Sequence, residues 1–197
     1  MGLRPNNETE SDDRDFGEFR TVNLKSRLTY PLACAAVIVT LLAWGQDLSA
    51  QGIQRLGEFE DWSAYQFTES GNVACYMASV PKKAEGNYTK RGDVFAIVTH
   101  RPAESRRDEV SFIAGYAYKK DSGVEVKIGD ETFSLFTQDD GAWAPDKEAD
   151  AALVSAMIKG RGMVVKGMSA RGTETVDTYS LSGFTKAYQA INKACGL

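Results

Sequence analysis

The chain has 197 residues, of which 23 are Lys or Arg and 27 are Asp or Glu, giving a net charge of −4 with a single histidine and three cysteines. That mildly acidic balance argues against nucleic acid, which requires a concentrated basic face. The lone histidine and the absence of His-Glu-x-x-His or paired cysteines leave no zinc pattern.

Residues 1–21 are acidic and poor in apolar side chains. Glu8, Glu10, Asp12, Asp13, Asp15 and Glu18 outnumber Arg4, Arg14 and Arg20, and only Leu3, Phe16 and Phe19 offer apolar surface, so this segment reads as a disordered extension. Export signals begin basic rather than acidic. The expected translation start therefore lies near Val22, where Asn23-Leu24-Lys25-Ser26-Arg27 forms a compact basic start. From Leu28 to Trp44 there are seventeen residues without a charge, short of the roughly 20 that a spanning helix needs. Pro31 near its start, Gly45-Gln46-Asp47 after it, and the small residues of Ser49-Ala50-Gln51 complete a signal-peptide layout over residues 22–50, with cleavage expected after Ala50. The protein is thus expected in the periplasm, secreted or at the surface, touching a membrane only through this segment if it stays uncleaved. Cys34 lies inside the apolar run, not at its end, which excludes a lipoprotein cysteine.

The expected mature domain is residues 51–197, with 18 basic and 20 acidic side chains. Of the cysteines only Cys75 and Cys195 remain in it, and in an oxidising compartment two cysteines pair with each other. Closing so long a loop stabilises the fold by up to about 5 kcal/mol on chain-entropy grounds.

Residues 51–61 form a lead-in. Residues 62–67 and 73–78 alternate as strands around the turn Glu69-Ser70-Gly71-Asn72, so they read as a hairpin. Residues 81–92 are polar and read as a loop carrying Lys82, Lys83, Lys90 and Arg91. Residues 94–98 are continuously apolar, a central strand. A charged connector (101–108) leads to a strand over 109–118, interrupted by Gly115, which marks a bulge or a close backbone approach. Further strands fall at 124–128, 132–136, 163–165 and 177–181, with a loop over 138–141 that ends at Ala142-Trp143. Between them, residues 146–159 change period: Ala149, Ala152, Leu153, Ala156 and Met157 share one helical stripe, with Asp146 as cap and Gly160 as stop. A closing helix over 185–194 turns Ala187, Tyr188, Ile191 and Ala194 inward. Many short strands with frequent turns predict a mainly β domain, a sandwich or barrel, with one internal and one C-terminal helix.

Catalytic signals are lacking. His100 ends a strand beside Arg101 and reads as a surface or strand-end residue, and there is no Gly-x-Ser-x-Gly elbow. Asp139-Asp140 lacks the alternating ligands of a calcium loop. Lys159-Gly160-Arg161-Gly162 ends a helix, where the dipole disfavours phosphate. Arg91-Gly92-Asp93 spells an integrin-binding tripeptide of a kind that arises by chance in such chains, and reads as the turn into the next strand. Asn87-Tyr88-Thr89 is an incidental match to a glycosylation acceptor.

Several blocks resemble the invasion-associated locus B family of Gram-negative bacteria. They are Thr99-His100-Arg101-Pro102-Ala103-Glu104, Asp108-Glu109-Val110-Ser111, Gly115-Tyr116, Phe133-Ser134-Leu135-Phe136 and Asp140-Gly141-Ala142-Trp143. The densest block runs from Met163 through Thr173, followed by Asp177 through Phe184, and Trp62, Cys75 and Ala194-Cys195 also fall where the family pattern expects them. The resemblance implies an exported, β-rich, non-enzymatic protein of the cell envelope, and it supplies no catalytic, cofactor-binding or metal-binding residues. Within its dense block Arg171 is expected to pair with Asp177 across a hairpin.

The leading expectation is an envelope protein that binds an envelope or host component, anionic in character, through loops at one end of the sandwich. The candidate partner-binding residues are Lys82, Lys83, Lys90, Arg91, Arg101, Arg106 and Arg107, where positive charge is concentrated. The alternative is an extracytoplasmic hydrolase with a carboxylate pair drawn from Glu104, Asp108, Asp139 and Asp140.

Overall fold

The structure, a computed structural model, describes residues 52–197. The expected extension, signal segment and cleavage site lie outside the described residues.

Eleven strands form one continuous antiparallel ladder. In chain order they are β1 (Gln54–Phe59), β2 (Trp62–Glu69), β3 (Asn72–Ser79), β4 (Lys83–Gly86), β5 (Phe95–Arg101), β6 (Arg106–Ile113), β7 (Val124–Ile128), β8 (Glu131–Gln138), β9 (Gly141–Trp143), β10 (Gly162–Met168) and β11 (Glu174–Ser180). Their spatial order is β1-β2-β3-β5-β6-β9-β8-β7-β10-β11-β4. The ladder folds over at β8, whose first half (Glu131–Leu135) pairs with β7 while Phe136–Gln138 pairs with β9. Two layers result, sharing one strand at the fold line and leaving β1 and β4 as free edges.

Period-2 alternation places the side chains. On β7, Val124, Val126 and Ile128 are buried while Glu125 and Lys127 face solvent. The core between the layers is built from such residues, among them Trp62, Met77, Val98, Phe112, Met163 and Tyr179. Trp62 Nε1–H donates to Ser180 O at 3.0 Å, which ties the start of β2 to the end of β11.

Two helices complete the domain. Helix α1 (Lys147–Lys159) packs on β6 and β8, and the Asp146 carboxylate accepts from Ala149 N at 2.8 Å as its cap. It buries Leu153, Val154, Ala156 and Met157, whereas Ala152 is exposed, so the buried stripe is rotated toward Val154. Helix α2 (Phe184–Ala194) lies across β1, β2 and β3 and buries Phe184, Ala187 and Ile191. Cys195, just past its end, is bonded to Cys75 on β3, with Cα atoms 6.1 Å apart.

Two short edge strands replace expected irregular chain. The lead-in contains β1, and the polar loop contains β4, whose four residues are all exposed. Edge strands need no apolar pattern, because their order comes from a ladder partner elsewhere in the chain. Conversely, the expected strand over 109–118 ends at Ile113, because Gly115 carries φ +69° and turns the chain away.

Candidate functional site

Gly92 and Gly115 build the most developed cleft. Gly92 N–H donates to Gly115 O at 2.9 Å, and a Cβ at Gly115 would stand 2.5 Å from Gly92 O, so this crossing accepts only glycine there. The crossing clamps the segment after β4 against the segment after β6. A turn joining β10 and β11 closes the third side: Ala170 N–H donates to Ala117 O at 2.8 Å, and Tyr118 bridges to Ser169. The cleft encloses about 700 Å³ between Asn87–Gly92, Gly115–Ala117 and Ser169–Thr175.

Its floor is an ion pair withdrawn from water. Arg91 donates from both terminal nitrogens to the two carboxylate oxygens of Asp177 at 2.6 and 2.7 Å, and from Nε to Ala114 O at 2.6 Å. Both side chains are about 95 % buried, at 5 % and 6 % exposure. The guanidinium lies over the Tyr116 ring at 4.9 Å and the Tyr88 ring at 5.6 Å. Burial presses against its charge, but Asp177 more than offsets this and the net displacement is upward. Tyr116 and Thr175 share a hydrogen bond of 2.5 Å beside it. This pair overturns one expectation and bears on a second motif. Asp177 is held by Arg91, not Arg171, because its side chain points inward from β11 while Arg171 sits exposed in the β10–β11 turn. The Arg91-Gly92-Asp93 tripeptide is not presented as a unit, since its arginine is the buried floor.

The seven candidate cations fall into two groups at opposite ends of β5. Its seven residues span roughly 20 Å at about 3.3 Å each, so the loops before and after it do not converge on one end. Six of the seven are matched with carboxylates. Lys82 pairs with Asp61 at 2.6 Å, Lys83 with Glu85 at 2.9 Å and Arg91 with Asp177. Arg101 joins Glu69 at 2.9 Å and Glu109 at 3.0 Å, Arg106 joins Glu109 at 3.2 Å, and Arg107 joins Asp108 at 3.4 Å. Lys90 alone has no carboxylate within 4.0 Å among the described residues, and it lines the cleft together with Arg171, which is likewise unmatched there. Lys119, Lys120 and Lys166, also unmatched among the described residues, line an adjoining groove together with Asp121, Glu125 and Glu174. The two depressions meet where Lys119 N–H donates to Met168 O at 2.9 Å. Charge density in sequence therefore located the cations, but among the free ones it marked only Lys90.

His100 stands at the end of β5 as expected, but it is fully buried and not at the surface. It lies opposite Cys75 in the β3–β5 ladder, and its Nδ1 accepts from Asp108 N–H at 3.0 Å. Tyr188 O–H donates to the Asp108 carboxylate at 2.6 Å, which ties α2 to the β5–β6 connection. Burial lowers the His100 pKa, with Asp108 opposing. The ring is sealed from substrate and serves packing.

The four carboxylates of the hydrolase alternative divide between the ends of β6. Glu104 and Asp108 lie at its start, while Asp139 and Asp140 form the β8–β9 turn beside its end, where Ile113 pairs with Gly141. None of the five main clefts is lined by two of the four. Among the described residues no group of three or more His, Cys, Asp or Glu side chains could hold a metal ion, and no helix is long and apolar enough to cross a membrane.

The family model for invasion associated locus B (IalB) protein matches residues 62–192. The fold is similar to the crystal structure of invasion associated protein B from Bartonella henselae, with a TM-score of 0.50 at 16% identity, covering 70% of this chain and 95% of that one. No curated protein matches the chain.

Proposed function

The chain belongs to the invasion-associated locus B family, and from that premise we propose that it is an exported, non-enzymatic envelope protein that binds an anionic partner at the Gly92–Gly115 cleft. One observation carries this reading: of the cations without a carboxylate within 4.0 Å among the described residues, Lys90 and Arg171 stand together on that cleft and Lys119, Lys120 and Lys166 beside it, whereas Lys127, Lys159, Arg161, Lys186 and Lys193 line neither depression. Paired surface cations are neutralised locally and attract a distant anion weakly, whereas unmatched ones add their fields. The Arg91–Asp177 pair is a rigid support below them and is not itself free to bind. The disulfide between Cys75 and Cys195 supports residence in an oxidising compartment.

The test is capture of envelope components by the protein with its disulfide formed. Elution by NaCl rising from about 50 to about 300 mM is expected for an anionic partner. Capture by a Lys90→Glu, Arg171→Glu double variant equal to the original would remove this reading. Fractionation of the producing cell checks export: protein recovered from the cytoplasm with residues 1–50 intact would contradict it.

A further inference from the structure

A second cleft, on the outer face of the first layer, has a different chemistry. Trp143 on β9 and Phe136 on β8 are register partners, with ring centroids 6.0 Å apart and planes inclined by 31°. Phe136 is 49 % exposed, although it stands in a strand. The indole of Trp143 lies back over Gly141, two residues earlier on the same face, and a Cβ there would stand 2.1 Å from its ring. The missing side chain at Gly141 is what lets the indole lie flat. No protein acceptor takes the Trp143 indole N–H among the described residues, in contrast to that of Trp62.

Polar side chains ring this aromatic floor in a cleft of about 380 Å³: Arg106 and Glu109 from β6, Gln138 from β8 and Asp150 from α1. Their charges are largely balanced. Glu109 is shared by Arg101 and Arg106 at 3.0 and 3.2 Å, and Asp150 accepts from Val110 N–H at 2.9 Å. Burial pushes the Asp150 carboxyl up to about 6, with the Val110 N–H opposing and Glu109 and Asp108 adding to the rise. An anionic ligand would meet two carboxylates here, and a cationic one would meet Arg106. A hydroxyl-rich neutral ligand finds an apolar face for its C–H groups and a rim of acceptors and donors for its hydroxyls, the usual composition of a small-molecule site.

We propose that this cleft binds a neutral saccharide, stacked by one C–H face on Trp143 and Phe136 and hydrogen-bonded through Glu109, Gln138 and Asp150. It is separate from the cationic cleft and does not depend on the reading given for it.

The test is titration of the full chain with maltotriose, cellotriose and N-acetylchitotriose while tryptophan emission is followed. At least one sugar is expected to change the emission, with an affinity indifferent to NaCl between about 50 and about 300 mM. Trp143→Phe should abolish the emission change. Phe136→Ala, and independently Gln138→Ala, should each weaken binding about tenfold, with unfolding midpoints recorded to show that both variants remain folded. The proposal is overturned if none of the three sugars changes the emission at millimolar concentration. It is equally overturned if both variants bind as the original does, or if choline or an oligogalacturonate is bound in preference to every neutral sugar.

Discussion

Arg91 and Asp177 are each nearly sealed from water, and their mutual bidentate contact compensates the desolvation of both. Removing one partner leaves a buried charge alone. Asp177→Ala is expected to lower unfolding free energy by about 3–5 kcal/mol in urea titration. The Arg91→Met, Asp177→Leu double variant should lose distinctly less than the sum of its single changes, and strict additivity would contradict the coupling. The buried His100 and the half-buried Asp150 give opposite pH signatures. His100 titrates below its ordinary 6.5 in the folded state, so the unfolded chain takes up the proton first. Its contribution is complete above that value and is lost as pH falls through it. Asp150 is raised from 3.8 to about 6, so the folded state holds a proton that the unfolded chain has released. Its destabilising effect is full above pH 6 and is relieved as pH falls toward 3.8. Asp150→Asn should therefore stabilise the protein at neutral pH and remove that relief, whereas His100→Gln should flatten the loss on the acid side of neutrality. Unfolding midpoints across this range, measured for both variants, distinguish the two contributions.

At the scale of elements, the cationic cleft exists because three connections cross at one place. Gly115→Ala puts a side chain at φ +69° and against Gly92 O, and should cost about 1–3 kcal/mol of stability while weakening retention by envelope components. A variant that binds unchanged would show that the crossing does not shape the site. Helix α2 is held differently. It makes few polar contacts with the layers beyond Tyr188, and the Cys75–Cys195 bond joins its end to β3 across 120 residues. Cys195→Ala is expected to lower unfolding free energy by about 2–5 kcal/mol, and reducing agent should then have no further effect. A continued response to reductant in that variant would be inconsistent with the pairing. The elements themselves were readable where local chemistry specifies them: the Asp146 cap, the Gly160 stop and the alternation of β7 need only near neighbours in sequence. β1 and β4 were not, because an edge strand is specified by the strand it meets, and Arg55 or Lys83 carries no mark of a partner ten or ninety positions away.

Across the whole molecule, the decisive quantity is which charges remain unmatched. Lys82, Lys83, Arg101, Arg106 and Arg107 looked like a binding surface because they are dense in sequence, yet each meets a carboxylate in the fold. Lys90 stayed free, and Arg171, Lys119, Lys120 and Lys166 joined it from segments that sequence density had not marked. The aromatic cleft was equally hidden, since Phe136, Trp143, Glu109 and Asp150 come from three strands and a helix. What the sequence by itself determined is the mainly β class, the two helices, the first with its cap and stop, and the partnership of the two cysteines of the domain. Those follow from period, turn chemistry and the count of one residue type, all of which act locally or by exclusion. Only the tertiary structure decided that Asp177 belongs to Arg91, that most cations of the two basic loops meet carboxylates, and that a cationic and an aromatic cleft exist. Each depends on strand register and on the fold line at β8, and register is set by the summed packing of the whole ladder, not by any segment within it.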